Sequence, residues 1–425
     1  MSNAIPLGLL PDNASVSDDG VLHIGGVSAL ELAEQFGTPL FVYDEDHLRS
    51  RCREVVEYFG SGAVYATKAF LCRAMARLAH DEGMRLDVAT GGEYSVARKS
   101  GVPASDLVLH GNNKSTAELR MAIEEGVGRV VVDSFDEMDR IDALVAQGLE
   151  PPQVLVRITP GVEAHTHEFV RTGQDDSKFG FTVSGGAADD ALARARASSS
   201  MRLLGVHAHI GSQVFRSESF AEAMAVMSGF AGDRQFEEIS IGGGLGVPYV
   251  EGESAPSISE WAEAIIDSRQ RYGVEASVSV EPGRAIVAAS AVTLYRAGTI
   301  KHLPGIRTYV AVDGGMSDNP RPVLYGSGYE TFLASDVAAD RDMQIRLVGK
   351  HCETGDVLVS EGWLPSGLKV DDIVATPVTG AYGHSMGSNY NKVLRPAVVF
   401  VSDGSARLVV RRETYDDLLT TDLGP

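Results

Sequence analysis

The sequence has little of what would tie it to the cell exterior or to a membrane. Its three cysteines, Cys52, Cys72 and Cys352, are too few for a disulfide framework, and no CxxC pair indicates a zinc site. No stretch reaches the ~18 apolar residues of a membrane-spanning helix. Residues 1–6 lack the basic region and apolar core of a secretory signal. We therefore expect a protein of the reducing bacterial cytoplasm.

Basic residues are also fewer than acidic residues. The chain has 37 Lys and Arg residues against 58 Asp and Glu residues, which gives a formal net charge of −21. Nucleic acids and anionic membranes do not attract a protein of this sign, so we expect neither as a partner. The net charge says little about a small substrate, because the charge of a pocket can oppose it.

Eight short apolar runs are typical of buried strands: Ala63–Ala66, Arg85–Val88, Leu107–His110, Val130–Asp133, Val154–Ile158, Leu203–His209, Glu238–Ile241 and Ser277–Glu281. The gaps between them are mostly long enough for a helix, and this alternation predicts βαβ units with a parallel sheet. Eight such units predict a closed (β/α)8 TIM-type barrel, which we place at residues 45–290.

The rest of the chain has a different pattern. Short β-type runs follow Arg284, separated by Gly, Pro, Asp and Ser: Ala291–Ile300, Thr308–Val312, Met343–Val348, Asp356–Val359, Asp372–Pro377, Ala397–Val401 and Ala406–Val410. Near the start we expect a strand at Val21–Ile24 and a helix at Ser28–Phe36. We therefore predict that residues 1–44 and 291–425 form an antiparallel β domain, either a barrel or a sandwich.

Residues capable of chemistry follow the predicted barrel strands, where the active sites of such barrels lie: Lys68, Asp87, His110, Asp133, His209, the glycines 242–244 and Glu281. A partly desolvated lysine in a barrel mouth loses its charge more readily, so Lys68 is a candidate for a covalent bond to a carbonyl group. The alternative is a surface lysine at a strand end.

The glycines 242–244 follow the seventh predicted strand, where barrels commonly bind phosphate. A glycine-rich loop without a ligand is the alternative. Glu281 can bind a protonated heterocycle nitrogen and Arg284 can clamp a phosphate or carboxylate, unless the two form a structural ion pair.

His207 and His209 share one face of the sixth predicted strand, so they can ligate a metal. No third ligand has suitable spacing, and we predict no metal. A ring stacked on a flat cofactor suits His209 better. Lysine, phosphate-type glycines, an acid for a ring nitrogen and a stacking imidazole together indicate pyridoxal 5′-phosphate.

Along nearly its whole length the chain resembles the diaminopimelate decarboxylases, which have the alanine-racemase-like fold of pyridoxal phosphate enzymes. The motifs that carry the resemblance are Tyr65-Ala66-Thr67-Lys68-Ala69, Leu86-Asp87-Val88-Ala89-Thr90-Gly91-Gly92-Glu93, His110-Gly111-Asn112-Asn113-Lys114, Ser177-Lys178-Phe179-Gly180, His209-Ile210-Gly211-Ser212-Gln213, Gly242-Gly243-Gly244-Leu245-Gly246, Glu281-Pro282-Gly283-Arg284, Cys352-Glu353-Thr354-Gly355-Asp356 and Gly380-Ala381-Tyr382. The resemblance implies decarboxylation of meso-2,6-diaminopimelate to L-lysine and carbon dioxide, the last step of lysine biosynthesis.

The resemblance also implies residue roles. Lys68 would bind the cofactor covalently, His209 would stack on its ring, and Glu281 would keep its ring nitrogen protonated. The other implied cofactor contacts are Asp87, Ser212, Gly243, Gly244, Gly283, Arg284 and Tyr382, and the implied substrate contacts are Arg284, Arg321, Tyr325, Glu353 and Tyr382. Cys352 would donate a proton, and it would enter the site with Glu353 from the second subunit of a homodimer.

Three positions depart from the family's common pattern. Gly349-Lys350-His351 stands where Gly-Pro-x is common, and Thr354 replaces a common Ser. The third is His384, which is not the usual residue two positions after Tyr382. These departures affect loop shape more than chemistry. Other decarboxylases of this fold, acting on ornithine, arginine or a carboxylated polyamine, stay open as alternatives, as does a phosphate-binding barrel enzyme that uses Lys68 on another carbonyl substrate.

Overall fold

A computed structural model describes residues 4–161, 176–232 and 234–424 of the chain. Contacts between Cα atoms divide the chain into two compact units. The β unit contains Met1–Ser50, Pro248–Ser254 and Ile286–Pro425, and the barrel unit contains Arg51–Val247 and Ala255–Ala285. Each unit is described by itself below.

The N-terminal segment supplies the first elements of the β unit. They are β1 (Ala14–Val16), β2 (Leu22–Ile24), β3 (Val27–Ser28), α1 (Ala29–Phe36) and β4 (Leu40–Asp44). The predicted strand and helix near the start are both present. The sequence pattern did not predict β4, whose five residues are all buried.

Strands and helices then alternate through the barrel unit. In chain order they are α2 (Glu45–Phe59), β5 (Val64–Ala66), α3 (Arg73–Asp81), β6 (Arg85–Val88), α4 (Gly91–Lys99), β7 (Leu107–Leu109), α5 (Thr116–Glu124), β8 (Arg129–Val132), α6 (Phe135–Val145), β9 (Gln153–Thr159), β10 (Phe181–Thr182), α7 (Ala187–Ala197), β11 (Arg202–His207), α8 (Ser217–Ala231), β12 (Glu238–Ser240), α9 (Ile258–Arg271), β13 (Ser277–Ser279) and α10 (Arg284–Val287). Side-chain caps fix several helix starts, as where the Ser115 hydroxyl accepts from the backbone of Glu118.

The barrel strands form one parallel sheet that closes on itself. Their order is β13-β12-β11-β9-β8-β7-β6-β5, and a parallel bridge between Ala63 and Val280 joins the two ends. The amide of Val64 donates to the carbonyl of Val280 at 3.0 Å, which completes the closure. The interior is filled by apolar side chains from different strands, including Val64, Val108, Val131, Leu155 and Leu204.

The C-terminal part of the β unit is mostly strand. Its elements are β14 (Ala291–Leu303), β15 (Arg307–Val312), α11 (Arg321–Tyr325), β16 (Phe332–Leu333), β17 (Met343–Val348), β18 (Val357–Leu364), β19 (Ile373–Pro377), β20 (Ala397–Ser402) and β21 (Ser405–Val410). All seven runs predicted after Arg284 coincide with strands. The main sheet follows the path β18-β17-β15-β14-β4-β20-β21, with β19 pairing β14 and β16.

The pairing of this sheet is mostly, but not wholly, antiparallel. β4 pairs β20 in parallel, and β15 pairs β17 in parallel. The fold class is confirmed: a parallel eight-stranded barrel and a separate, mostly antiparallel sheet. Among the described residues, no helix combines the length and the apolar character that crossing a membrane requires.

Candidate active site

A cavity of about 270 Å³ lies at the C-terminal ends of the barrel strands. Its lining combines ionisable, aromatic and small residues: Lys68, Asp87, Ala89, His110, Gly111, Arg157, Phe179, His207, His209, Ser212 and Glu281. The strands are parallel, so residues far apart in the chain meet at this edge. Five of the predicted site residues, Lys68, Asp87, His209, Ser212 and Glu281, share this cavity.

Glu281 is held by histidines and a serine. Its Oε2 lies 2.9 Å from His207 Nε2, its Oε1 lies 3.2 Å from His110 Nε2, and the Ser240 hydroxyl donates to Oε1 at 3.2 Å. The alternative of a Glu281–Arg284 ion pair is wrong, since the Arg284 guanidinium instead donates to the Ser212 hydroxyl at 2.8 Å. Burial opposes ionisation of Glu281, but His110 and His207 outweigh it and hold the pKa of the carboxyl well below its usual value.

The two histidines beside Glu281 differ in their charge preference. Burial favours neutral His110, yet Asp87, 3.9 Å away, and Glu281 raise its pKa above the usual value. Burial lowers the pKa of His207, and the nearby Glu281 does not reverse this. Burial also raises the pKa of Asp87. A protonated His110 between two carboxyl groups is therefore the arrangement that the geometry favours.

His209 has the neutral ring that stacking on a flat aromatic ligand requires. The amide of Gly243 donates to its Nδ1 at 3.2 Å, so that nitrogen is an acceptor. Burial, followed by the charges of Lys68 and Arg157, holds the pKa of His209 well below its usual value. The ring is only half-buried and faces the cavity.

Close backbone contacts require glycine at two positions of the loop after β12. A Cβ atom at Gly243 would lie 2.0 Å from the carbonyl oxygen of Glu281, and one at Gly244, where φ is +117°, would lie 2.2 Å from that of Gly211. The loop therefore packs directly on the segments that carry Glu281 and Ser212. Ser212 and Arg284 add a hydroxyl and a guanidinium nearby, which are groups suited to a phosphate.

Lys68 stands in a short 3-10 turn, Thr67–Ala69, directly after β5. The buried Thr67 hydroxyl donates to the carbonyl of Asp87 at 2.6 Å and fastens this turn to β6. Lys68 is an exposed residue and also lines the cavity, so partial desolvation of its amine stays a prediction.

Arg157 is a cavity residue that the sequence reasoning missed. It lies on β9, is buried, and places its guanidinium 4.3 Å from the centre of the Phe179 ring and 3.8 Å from Asp133. Burial lowers its pKa. A charged residue inside the apolar run Val154–Ile158 was a signal that could have identified it. His110 and His207 were likewise seen in the sequence but given no role.

The other predicted site residues belong to the β unit. Arg321 begins α11 and is buried, its guanidinium lying 4.2 Å from the centre of the Tyr249 ring and donating to the Tyr329 hydroxyl at 2.7 Å. Tyr325 ends the same helix. Cys352 and Glu353 are exposed, and Tyr382 is half-buried with φ of 64°.

Two loops of the β unit are tied together by Asp356. Its carboxylate accepts from the amide of Met316 at 2.7 Å and from the amide of His351 at 2.8 Å. His351 Nε2 also lies 2.8 Å from the Ser317 hydroxyl. His351, the residue after the departure at Lys350, therefore belongs to a network that joins the loop before Arg321 to the loop of Cys352.

The chain matches known decarboxylases over most of its length. The family described as "Pyridoxal-dependent decarboxylase, pyridoxal binding domain" matches residues 45–288. Diaminopimelate decarboxylase of Mycobacterium tuberculosis is 46% identical, with 97% of each chain covered. That of Bacillus subtilis is 44% identical, with 95% of each chain covered.

Solved structures give the same likeness. Diaminopimelate decarboxylase from M. jannaschii in complex with L-lysine has a TM-score of 0.89 at 33% identity, covering 97% of this chain and 98% of that one. The Helicobacter pylori enzyme complexed with L-lysine has a TM-score of 0.84 at 28% identity, covering 92% and 98%. A lysine/ornithine decarboxylase from Vibrio vulnificus shares the fold, with a TM-score of 0.75 at 22% identity over 88% of this chain and 97% of that one.

Proposed function

The chain belongs to the diaminopimelate decarboxylase family of pyridoxal-dependent decarboxylases, and from this premise we propose that it converts meso-2,6-diaminopimelate to L-lysine and carbon dioxide, the last step of lysine biosynthesis. The observation that carries the proposal is the barrel cavity, where two carboxyl groups, three imidazoles and a lysine meet beside a glycine-rich loop. The near full-length likeness to enzymes of this name supports the choice of substrate.

The residues present fit pyridoxal 5′-phosphate, the cofactor of this family. Glu281, whose pKa is lowered by its histidine neighbours, is a strong acceptor for a protonated ring nitrogen. The neutral, half-buried ring of His209 offers a flat face. The loop of Gly243 and Gly244, with Ser212, Gly283 and Arg284, provides amide, hydroxyl and guanidinium donors for a phosphate.

We assign the chemistry to this chain's own groups. When bound, pyridoxal phosphate supplies an electron sink for the pair released as the carboxylate leaves. Lys68 would hold the cofactor through its side-chain amine. Glu281 would hold a proton at the ring nitrogen, and His110 and His207 keep Glu281 ionised. Cys352 is our candidate to donate a proton to the α-carbon.

Substrate choice depends on the distal end of diaminopimelate, which carries a second amino-acid group. We propose that Arg321 meets the distal carboxylate, with Arg284, Tyr325, Glu353 and Tyr382 as further substrate contacts. The surroundings of Arg321 support this role, because no salt bridge joins its buried guanidinium to a carboxylate among residues 4–161, 176–232 and 234–424. A group of this kind is well suited to a charged ligand, since its neighbours satisfy only part of its hydrogen-bonding capacity.

We further propose a homodimer whose partner subunit contributes Cys352 and Glu353 to each site. The exposure of both residues leaves them available to another chain. Subunit mixing tests this: Lys68→Ala and Cys352→Ala should each be inactive. Denaturing and refolding an equal mixture should restore about a quarter of wild-type activity, because half of the dimers would be mixed and each would carry one intact site. No recovery in mixed dimers would contradict a shared site.

We also propose a cytoplasmic location, which the three free cysteines favour.

The reaction is tested directly by incubating the purified holoenzyme with meso-diaminopimelate and assaying lysine and carbon dioxide. Ornithine and arginine serve as parallel substrates. Lysine formed from diaminopimelate, with the other two untouched, is the expected result. Turnover of ornithine or arginine instead would keep the fold and chemistry but overturn the role of Arg321.

A further inference from the structure

A second cavity lies at the opposite end of the barrel from the candidate active site. It has a volume of about 230 Å³, and its lining includes Arg85, Arg129, Glu238 and Ser277, which begin β6, β8, β12 and β13. Ser61 and Ser277 are exposed at its rim, so solvent reaches it. This basal cavity, at the N-terminal ends of the strands, is nearly as large as the catalytic one.

The lining of the basal cavity has an excess of positive charge. Three guanidinium groups, from Arg85, Arg129 and Arg269, face one carboxylate, that of Glu238. That carboxylate is already engaged: Arg129 Nε lies 3.0 Å from its Oε2, and the Ser279 hydroxyl donates to its Oε1 at 2.8 Å. Such a cluster of positively charged groups is unusual in a chain whose net charge is −21.

Arg85 differs from the other two arginines of the cavity in its contacts. Arg129 also donates to the Gln153 amide oxygen at 2.8 Å, and Arg269 donates to the carbonyl of Val274 at 3.1 Å. For Arg85, by contrast, there is no salt bridge and no side-chain hydrogen bond within the described part of the chain, although the residue is half-buried. A half-buried cation with five unused donors is well placed to bind an oxyanion.

The lining of the cavity also includes apolar side chains. They are those of Phe59, Ile265, Ile266 and Val278, and Tyr58 adds a ring that carries a hydroxyl group. A ligand suited to both kinds of lining residue has a charged head and an apolar body, since the head meets Arg85 and the body covers the apolar side chains. We propose that the basal cavity binds a small organic anion with a carboxylate or phosphate head on an apolar body. This site is separate from the catalytic cavity, so it stands or falls independently of the proposed reaction.

The test is calorimetric titration of the holoenzyme, in which the phosphate-binding groups of the catalytic cavity are already occupied. Benzoate and phenyl phosphate are the probes, and inorganic phosphate tests the head alone. We expect saturable binding of at least one aromatic anion, with one site per chain. The variant Arg85→Ala should weaken it at least tenfold, whereas Arg77→Ala, which removes an exposed arginine from α3, should leave it unchanged.

The relative affinities identify the head group that the site prefers, carboxylate or phosphate. Absence of saturable binding of both aromatic anions up to roughly 10 mM would overturn the proposal. Equal binding by wild type and Arg85→Ala would also overturn it, because the anion would then lie elsewhere. If Arg85→Ala does not fold, Arg85→Gln keeps the length and polarity of the side chain while removing the charge, and the same two criteria apply.

Discussion

In the barrel unit the buried side chains of Lys114 and Glu281 meet groups that can carry the opposite charge, whereas in the β unit the buried guanidinium of Arg321 meets tyrosines. Lys114 lies 2.7 Å from Glu137, and Glu281 lies within 3.2 Å of two imidazoles. Arg321 contacts the Tyr329 hydroxyl and the Tyr249 ring, and no carboxylate forms a salt bridge with it among the described residues. The barrel cavity is thus balanced by its own side chains, while Arg321 is suited to a charge brought by a ligand.

This difference separates two tasks that an amino-acid decarboxylase of this family must perform. Holding a cofactor requires groups that keep their charge and orientation in every turnover, which a balanced network provides. Selecting one substrate requires a group that is poorly satisfied without that substrate, because analogues that lack the matching charge then leave it unpaired. We therefore expect the largest selectivity effects in the β unit and graded electrostatic effects in the barrel.

Removing Arg321 should have the largest effect. Arg321→Ala is expected to lower kcat/KM for meso-diaminopimelate by ~10⁴-fold, because a distal carboxylate would lose its matched cation. Steady-state kinetics with diaminopimelate measure this. Arg346→Ala removes a half-buried arginine from β17 of the same unit, where it donates to the carbonyl of Ser360, and should keep nearly full activity. Wild-type kinetics for Arg321→Ala would remove this residue from substrate binding.

The Lys114–Glu137 pair should dominate local stability in the barrel. Both side chains are at most 2% exposed, and Lys114 also donates to the carbonyls of Gly111 and Val131, each at 2.7 Å. Lys114→Met should therefore lower the free energy of unfolding by ~3–5 kcal/mol, since it leaves Glu137 buried without its partner.

Denaturant unfolding of the holoenzyme measures this cost. The double variant Lys114→Met with Glu137→Met serves as the control and should recover much of the loss, because no unpaired charge remains. A double variant no more stable than the single one would show that the hydrogen bonds of Lys114 to the carbonyls of Gly111 and Val131, rather than the charge pair, account for the effect.

Glu281→Gln should lower kcat by ~10²-fold while the cofactor stays bound, because an amide cannot hold a proton on the ring nitrogen as a carboxylate does. Absorbance of the bound cofactor checks retention, and kcat measures the effect. Glu237→Gln, an exposed residue paired with Arg202 at the base of the barrel, is the matched control. Nearly unchanged turnover of Glu281→Gln would disprove the electron-sink argument.

Much of this organisation is predictable from the sequence, because continuous apolar runs mark the barrel strands and their ends mark the active-site edge. β4 was missed since its residues pair with β14 and β20, which lie far along the chain. The parallel pairs of the second sheet were missed for the same reason, because the direction of strand pairing depends on how segments far apart in the chain come together in the sheet. The domain limits placed at residues 45 and 290, and the individual roles of the site residues, stay predictions.

The partners of Glu281 were beyond prediction for a related reason. The sequence places Arg284 three positions after Glu281 in the same motif, and that proximity suggested an ion pair. The closed barrel instead places the ends of β7, β11 and β13 around one cavity, so His110 and His207 reach the carboxylate across it. Periodicity gives the face of a strand but not which side chains meet across a barrel interior.

His110 offers the smallest and most specific test of the balanced network. It lies 3.2 Å from Glu281 and 3.9 Å from Asp87, and its charge contributes to holding the pKa of Glu281 well below the usual value of 4.5. Because the pKa of Glu281 is lowered, the carboxylate stays ionised through the neutral range and is lost only as the pH falls through that lowered value. His110→Gln removes the positive charge, so the pKa of Glu281 should rise.

The expected consequence is that the acidic limb of the kcat/KM profile moves to higher pH, so that activity is lost on the acidic side while little changes near pH 8. His80→Gln is the matched control, because His80 also pairs with a carboxylate, Asp106 at 3.0 Å, but outside the cavity. A uniform loss of activity at every pH would indicate that His110 only supports the shape of the site. A shifted limb confined to His110→Gln would establish that its charge sets the ionisation of Glu281, and that the balance within the barrel is electrostatic rather than merely structural.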